Sequence, residues 1–479
     1  MPHANLKQKA QSGVVWSAIE RFSTQGIQFL FNIILARLLS PEDYGIIALP
    51  LIFLAVAQVF VDAGFANALI RKTDLTDKDL NTALIFNITI GLFCYFILFL
   101  SSPLIADFYD TPILSDVLKI TSLSVLFTPL CSVQQALLTK SLNFKLQARV
   151  SVISALTGGI LGVIMAYNGY GVWALAISQS LTAFMRVVLL WVWTKWFPNG
   201  RWNKSSFSYL WNYGSKLLLA GLIDTIYQNL YPMIIGKVYN ATSLGFYTKA
   251  QQLAHFPSAN VYGIIRRVTF PLLSEIQEDK ERLSRMFIKI LRITVFVMFP
   301  LMCFIIGSAK PIIYILLSEK WSFSIVFLQL LSFAMMWRPI DSLNLNLLTI
   351  TARTDLFLRL EIIKKIIGVI ILCATLFYGV IAICIGYIIY SILEIFIDSY
   401  YSGKIYNIGI FKQIRSISTI ITMSIIIMVA TLVCSNISSN YYIAICLNFV
   451  ISISIFICWV HFFNKEEYNE FKSIITRKK

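Results

Sequence analysis

The chain has 479 residues, 57% of them hydrophobic and only 13% charged, with a formal net charge of +16. Ordinary soluble domains carry roughly a quarter charged residues, so this composition excludes a water-soluble globular protein and makes lipid the natural solvent. The positive balance calls for no nucleic-acid partner, because the basic residues collect in loops between apolar stretches, as orientation beside anionic lipid requires.

A bilayer core of about 30 Å takes about 20 helical residues at about 1.5 Å rise, and the chain divides into about fourteen stretches of that length. A polar opening, Met1 to Ser12, carries no removable signal pattern. The first predicted span covers 12–36, followed by 44–67, 82–105, 115–138, 147–168, 171–194 and 210–235. The rest cover 243–267, 287–308, 322–348, 357–378, 380–402, 414–435 and 441–462. These stretches are continuously apolar and not alternating, which predicts an all-α polytopic membrane protein rather than a barrel.

Lys and Arg fall on alternate sides of the predicted spans. The segments on one side hold Lys7, Lys9, Arg71, Lys72, Lys140, Lys145, Lys195, Arg266, Arg267, Lys280, Arg282, Lys364, Lys365, Lys412 and Arg415, with Lys465, Lys472, Arg477, Lys478 and Lys479 in the tail. The other side holds only Arg37, Lys119, Lys237, Lys310 and Lys320, beside acids such as Asp43, Asp110 and Glu319. The asymmetry predicts both termini on the cytoplasmic side. The eight cysteines lie in apolar stretches without CxxC spacing and read as packing residues.

A weak internal repeat sets Ile34, Leu35, Ala36, Arg37 and Leu38 over Ile234, Ile235, Gly236, Lys237 and Val238, and Gly45 over Gly245. Farther on, Pro129 falls over Pro339 and Ser132 over Ser342. The repeat predicts two parallel six-helix bundles, 1–194 and 209–403, joined by a cytoplasmic linker at 195–208. Two further helices and a basic tail occupy 404–479. Paired bundles about an axis normal to the membrane form a transporter plan, with the substrate route between the halves.

Three segments carry a family resemblance: Trp16 to Phe22, the turn Leu35 to Gly45 with its Ser40-Pro41-Glu42-Asp43, and Phe270-Pro271-Leu272-Leu273-Ser274-Glu275-Ile276-Gln277. With Tyr247 to Leu253, followed by Pro257, they resemble the Wzx-type flippases of bacterial polysaccharide synthesis, within the multidrug/oligosaccharidyl-lipid/polysaccharide exporter superfamily. The resemblance spans essentially the whole chain. It implies an inner-membrane protein that moves an oligosaccharide linked to undecaprenyl diphosphate from the inner to the outer leaflet by alternating access. Proton or sodium coupling and a polysaccharide polymerase complex belong to the same expectation; no catalytic residue, metal or cofactor carries over.

A diphosphate crossing a membrane needs fixed positive charge, since a bare anion in hydrocarbon is prohibitively costly. Arg21 lies about 13 Å into the first predicted helix, too deep to reach the surface easily. Lys216 and Lys249 lie partway in from opposite sides, and Arg186 and Arg338 sit deep but nearer the inner end. Internal pairing or contact with headgroups is the competing reading for each. Arginine grips a diphosphate better than lysine because its planar fork can bind two oxygens. Candidates for the coupling ion are Asp224, the pair Glu394 and Asp398 at i, i+4 spacing, and His255, two residues before Pro257.

Two other functions fit a polytopic plan. A polysaccharide polymerase would need sizeable outer loops to hold two glycans, and the predicted outer loops are short. A cation-coupled drug antiporter would want an acidic cavity, whereas Arg21, Lys216 and Lys249 suit an anionic cargo. The sequence has no GxxxxGK or HExxH motif, and Asp77-Lys78-Asp79 reads as a solvated charge run in a short loop.

Overall fold

The computed structural model describes residues 3–194, 196–350, 353–438 and 440–463, except the side chains of 3–15, 262, 264–268, 270, 271 and 354. Lys195 and the tail cations Lys465, Lys472, Arg477, Lys478 and Lys479 lie outside the described residues, as do the side chains of Lys7, Lys9, Arg266, Arg267, Phe270 and Pro271.

Packing divides the chain into two compact units, residues 1–245 and 246–479. The first contains α1 (His3–Leu38), α2 (Pro41–Ala48), α3 (Leu51–Asp62), α4 (Phe65–Arg71), α5 (Asp77–Phe108), α6 (Ile113–Thr121) and α7 (Leu123–Lys140). It continues through α8 (Phe144–Tyr167), α9 (Val172–Thr194) and α10 (Lys204–Val238), and ends within the first turns of α11 (Ala241–Ser274). The second unit takes the rest of α11 with α12 (Lys280–Gly307), α13 (Ala309–Leu316), α14 (Ser324–Met335) and α15 (Arg338–Ile350). It closes with α16 (Thr354–Thr375), α17 (Val380–Tyr406), α18 (Ile410–Ile437) and α19 (Tyr441–Phe462). There is no strand among the described residues.

Every predicted span falls on helix. Nine helical segments among the described residues have the length and apolarity to cross a bilayer by themselves. The spans at 12–36, 210–235, 243–267, 322–348 and 357–378 are helical too, but they carry Arg21, Lys216, Lys249, Asp341 and Lys364, which lower their hydropathy. The chain is a multi-pass helical membrane protein.

Several spans that read as single helices are broken. Span 44–67 becomes α2, α3 and α4, because Pro50 has no N–H to donate and the chain turns at Ala63 and Gly64, both with positive φ (32° and 70°). Span 322–348 divides into α14 and α15 just ahead of Pro339, the second residue of α15.

In the first unit α1 lies along α8, α8 and α7 pack on α9, and α5 packs on α7. Helix α10 packs on α3, α4 and α5, which is why it belongs to the first unit by packing. Its aromatic core stacks Phe65 on Phe86 at 4.6 Å and Phe207 on Trp211 at 5.8 Å. In the second unit α12 runs along α18, α16 along α17, and α17 also supports α14 and α15.

The segment Leu39 to Gly45 is a helix start with its physical parts in place. Ser40 caps α2 by accepting from the Asp43 backbone N–H at 3.1 Å, the Asp43 carboxylate accepts from the Ser40 N–H at 2.9 Å, and Pro41 holds the first turn. Gly45 and Gly245, the two glycines the repeat sets in register, permit a close backbone approach: a Cβ on Gly45 would overlap the Ala241 carbonyl, and one on Gly245 the Pro41 carbonyl. Gly45→Ala is therefore expected to cost about 1–3 kcal/mol, the usual penalty for overpacking, read as a lower thermal midpoint of the purified protein. An unchanged midpoint would mean that the turn yields freely.

Candidate functional site

Asp77-Lys78-Asp79 forms a helix cap. Asp79 is fully buried at the start of α5, where it accepts from Lys72 Nζ at 2.7 Å, the Thr76 N–H at 3.0 Å and the Thr76 hydroxyl at 2.7 Å. Lys140 Nζ donates to the Lys72 carbonyl. The Asn203 N–H donates to the Thr82 hydroxyl at 3.1 Å, tying the start of α10 to α5. A carboxylate with its acceptor capacity spent on a cap and an ion pair organises the loop instead of binding a metal.

The first unit holds a polar pocket of about 290 Å³ between α1, α7, α8 and α9. Glu20, Gln135, Thr139, Gln147, Ser151 and Arg186 line it. Ser151 donates to Glu20 at 3.0 Å, and the Gln147 amide donates to the Thr139 hydroxyl at 2.9 Å and the Gln135 carbonyl at 3.2 Å. Arg186 Nε is buried there without a hydrogen-bond partner among the described residues. An arginine with an unused donor beside amides and hydroxyls can take an anionic or hydroxyl-rich group.

Arg21 is half-buried on α1 and is not among the residues lining that pocket. It follows Glu20 by about 100° around the helix, so Glu20 takes the face toward α8 and Arg21 the adjacent one. Lys216 is exposed on α10. Asp224 is also exposed on α10 and accepts from the Gln228 amide at 2.7 Å. A second pocket in the same unit, about 740 Å³, lies between α3, α5 and α10 and is almost wholly apolar, with Phe53, Phe60, Phe93, Trp211 and Met233 among its walls.

The second unit gathers charges that the sequence scatters. Lys364, on α16 and 3% exposed, gives its ammonium to three carboxylates: Glu361 at 2.8 Å, Asp398 at 2.9 Å and Asp341 at 3.2 Å. Asp398, on α17, is fully buried. Glu394 lies one turn earlier on α17 and is half-buried, and Arg338 at the start of α15 is accessible, with Tyr387, Glu394, Asp341 and Tyr390 around it. His255 is exposed on α11, within the field of Arg338. Lys249 is buried on α11, 4% exposed.

The structure thus brings Arg338, Glu394 and Asp398 into one neighbourhood, with His255 beside it, and puts Arg186 in the polar pocket of the first unit. Lys364, counted among the inner cations and lying within predicted span 357–378, is a buried hub of the second unit. The signal was present in the acid–base spacing of Glu361 and Lys364, three apart within a predicted span.

Comparison with known proteins gives the relationships of the chain. Residues 34–326, more than half of its length, match the family described as polysaccharide biosynthesis protein. The lipopolysaccharide biosynthesis protein WzxC of Escherichia coli (strain K12) is 26% identical over 397 residues, covering 81% of this chain and 80% of that protein. The succinoglycan biosynthesis transport protein ExoT of Rhizobium meliloti (strain 1021) is 24% identical over 323 residues, 67% of this chain and 65% of its own. Among solved structures, the inward closed conformation of the lipid II flippase MurJ superposes with a TM-score of 0.73 at 16% identity, covering 95% of this chain and 99% of that one. That likeness is one of fold.

Proposed function

Because the chain belongs to the polysaccharide biosynthesis protein family, we propose that it is a flippase moving an oligosaccharide linked to undecaprenyl diphosphate from the inner to the outer leaflet of the bacterial inner membrane. The observation that carries this reading is the family match over more than half of the chain, together with similarity along most of its length to a protein named for polysaccharide transport. Transport involves no bond-making step, so the protein acts without catalytic residues. Both termini face the cytoplasm.

The described geometry supports an anionic, glycan-bearing cargo. Arg186 and the amide and hydroxyl groups around it suit a phosphate or sugar, and Arg21 and Lys216 of the same unit are candidates for further positive charge. The apolar pocket between α3, α5 and α10 suits part of a polyprenyl chain. Short connections between helices leave little room for the glycan-holding loops of a polymerase: the longest among the described residues spans only the linker between α9 and α10.

Deleting the gene is expected to remove surface glycan and leave the lipid-linked oligosaccharide accumulating on the cytoplasmic leaflet, with the glycan-assembling enzymes intact. Leaflet-specific labelling of the lipid-linked pool makes the measurement. Normal translocation with unpolymerised repeat units outside would assign the polymerase role instead.

A further inference from the structure

The carboxylates around Lys364 outnumber the cations. Asp341, Glu361, Glu394 and Asp398 face Lys364, and Arg338 adds the second positive charge, so the cluster with all four acids ionised has two negative charges in excess. The Lys364 ammonium donates to Asp341 at 3.2 Å and to Asp398 at 2.9 Å, and pairs with Glu361 at 2.8 Å. That contact uses one oxygen of Asp398, Oδ2. The other, Oδ1, is buried and has no hydrogen-bond donor among the described residues. Yet Asp341 and Asp398 each bring a carboxylate oxygen to the same Lys364 Nζ, at 3.2 and 2.9 Å, so the two carboxyls stand side by side. Two ionised carboxylates have no donor between them, and like charges so close in a dry site repel strongly.

We propose that Asp341 and Asp398 form a proton-binding site, sharing one proton across their facing oxygens while Lys364 holds the pair from the other side. Binding converts one carboxylate to the acid, forming an O–H bond that donates to the neighbouring carboxylate. The excess charge of the cluster falls from two to one. Nothing else changes hands.

The surroundings fit a site closed by charge and by packing. Arg338 and Asp341 come from α15, Glu361 and Lys364 from α16, and Tyr387, Tyr390, Glu394 and Asp398 from α17, with His255 of α11 near Arg338. Helix α14 brings no titratable group, α12 carries the exposed Lys289 and half-buried Arg292, and Lys412 and Arg415 of α18 are exposed. Beside the site, Leu348, Leu356 and Leu360 pack with Ile397 and Tyr401 and exclude water from one flank. Release of the proton would leave Lys364 with three fully charged partners in place of two, strengthening its hold on α15 and α17 together. The occupancy of the site therefore sets how tightly α15, α16 and α17 are tied. Its use as a coupling ion rests on the export reading above; the site itself does not.

Infrared spectroscopy of the full chain reconstituted in lipid tests this, because a protonated carboxylic acid has a carbonyl stretch distinct from carboxylate and sensitive to deuterium. The wild type at neutral pH is expected to show such a band, lost in both Asp341→Asn and Asp398→Asn and retained in Glu361→Gln. Two independent variants guard against one that fails to fold, and the wild-type spectrum stands by itself. No protonated-acid band in the wild type, or one that survives both asparagine variants, would overturn the proposal. So would a thermal midpoint that rises with sodium at fixed pH and is insensitive to sodium in Asp398→Asn, since the site would then hold a metal cation. The band is independent of export: its presence in a chain that moves no glycan would fail the transport reading alone.

Discussion

Arg186→Ala is expected to reduce export of lipid-linked oligosaccharide by about tenfold to a hundredfold, the equivalent of one or two charge-assisted hydrogen bonds, with membrane abundance near that of the wild type. Arg186 stands in a polar pocket with Glu20, Gln147 and Ser151, and its Nε is buried without a hydrogen-bond partner among the described residues. A donor held ready in this way is costly unless a ligand uses it for part of the cycle. Arg186→Lys keeps the charge and loses the planar fork, so partial export is expected from it. The competing role is structural, with Arg186 serving only to balance Glu20. In that case alanine would leave a carboxylate in a poorly solvated site, and export, abundance and thermal midpoint would fall together. Arg21→Ala tests the neighbouring face of α1 in the same assay. Full export by both alanine variants at normal abundance would remove this end of the first unit from the substrate path.

The second large effect is on stability. Lys364→Met removes the one cation that three carboxylates share, and the strong repulsion left behind is expected to cost about 3–5 kcal/mol, the range for breaking a buried ion pair from one side. Thermal unfolding in detergent and the fraction of protein reaching the membrane both measure it. Combining Lys364→Met with Asp341→Asn and Asp398→Asn removes most of the stranded charge, and much of the lost stability should return. A single Lys364→Met that unfolds at the wild-type temperature would show that the ammonium is not the tie between α15, α16 and α17. Glu361 is the most accessible of the three carboxylates, at 29% exposed, so its loss should be felt least.

The sequence by itself determined the class of the protein and the positions of its helices. Apolar runs of bilayer length are long, local and continuous, and backbone amides in lipid have no partner but their own helix, so periodicity and length suffice. At Ser40 to Gly45 the structure starts the helix at Pro41, ahead of the predicted span start at 44, because Ser40 and Asp43, three residues apart, form a capping box. The breaks at Pro50 and at Ala63 and Gly64 were less legible: a hydropathy window averages over a kink, and Ala63 adopts positive φ only because the packed unit holds it there.

The charges were the part that only tertiary structure decided. Counting depth along a span located Arg21, Arg186, Lys216, Lys249 and Arg338, but depth says nothing of the direction in which a side chain points. The role of Lys364 was hidden for a related reason: it lies within a predicted span, but its three carboxylates come from α15, α16 and α17, separated in sequence by up to a helix and a turn. The i, i+4 spacing of Glu394 and Asp398 showed that they share a helical face. That Asp398 is buried against Asp341 and Lys364, while Glu394 lies toward Arg338 and the tyrosines, follows from the packing of α15 and α16 onto α17, which no local pattern encodes.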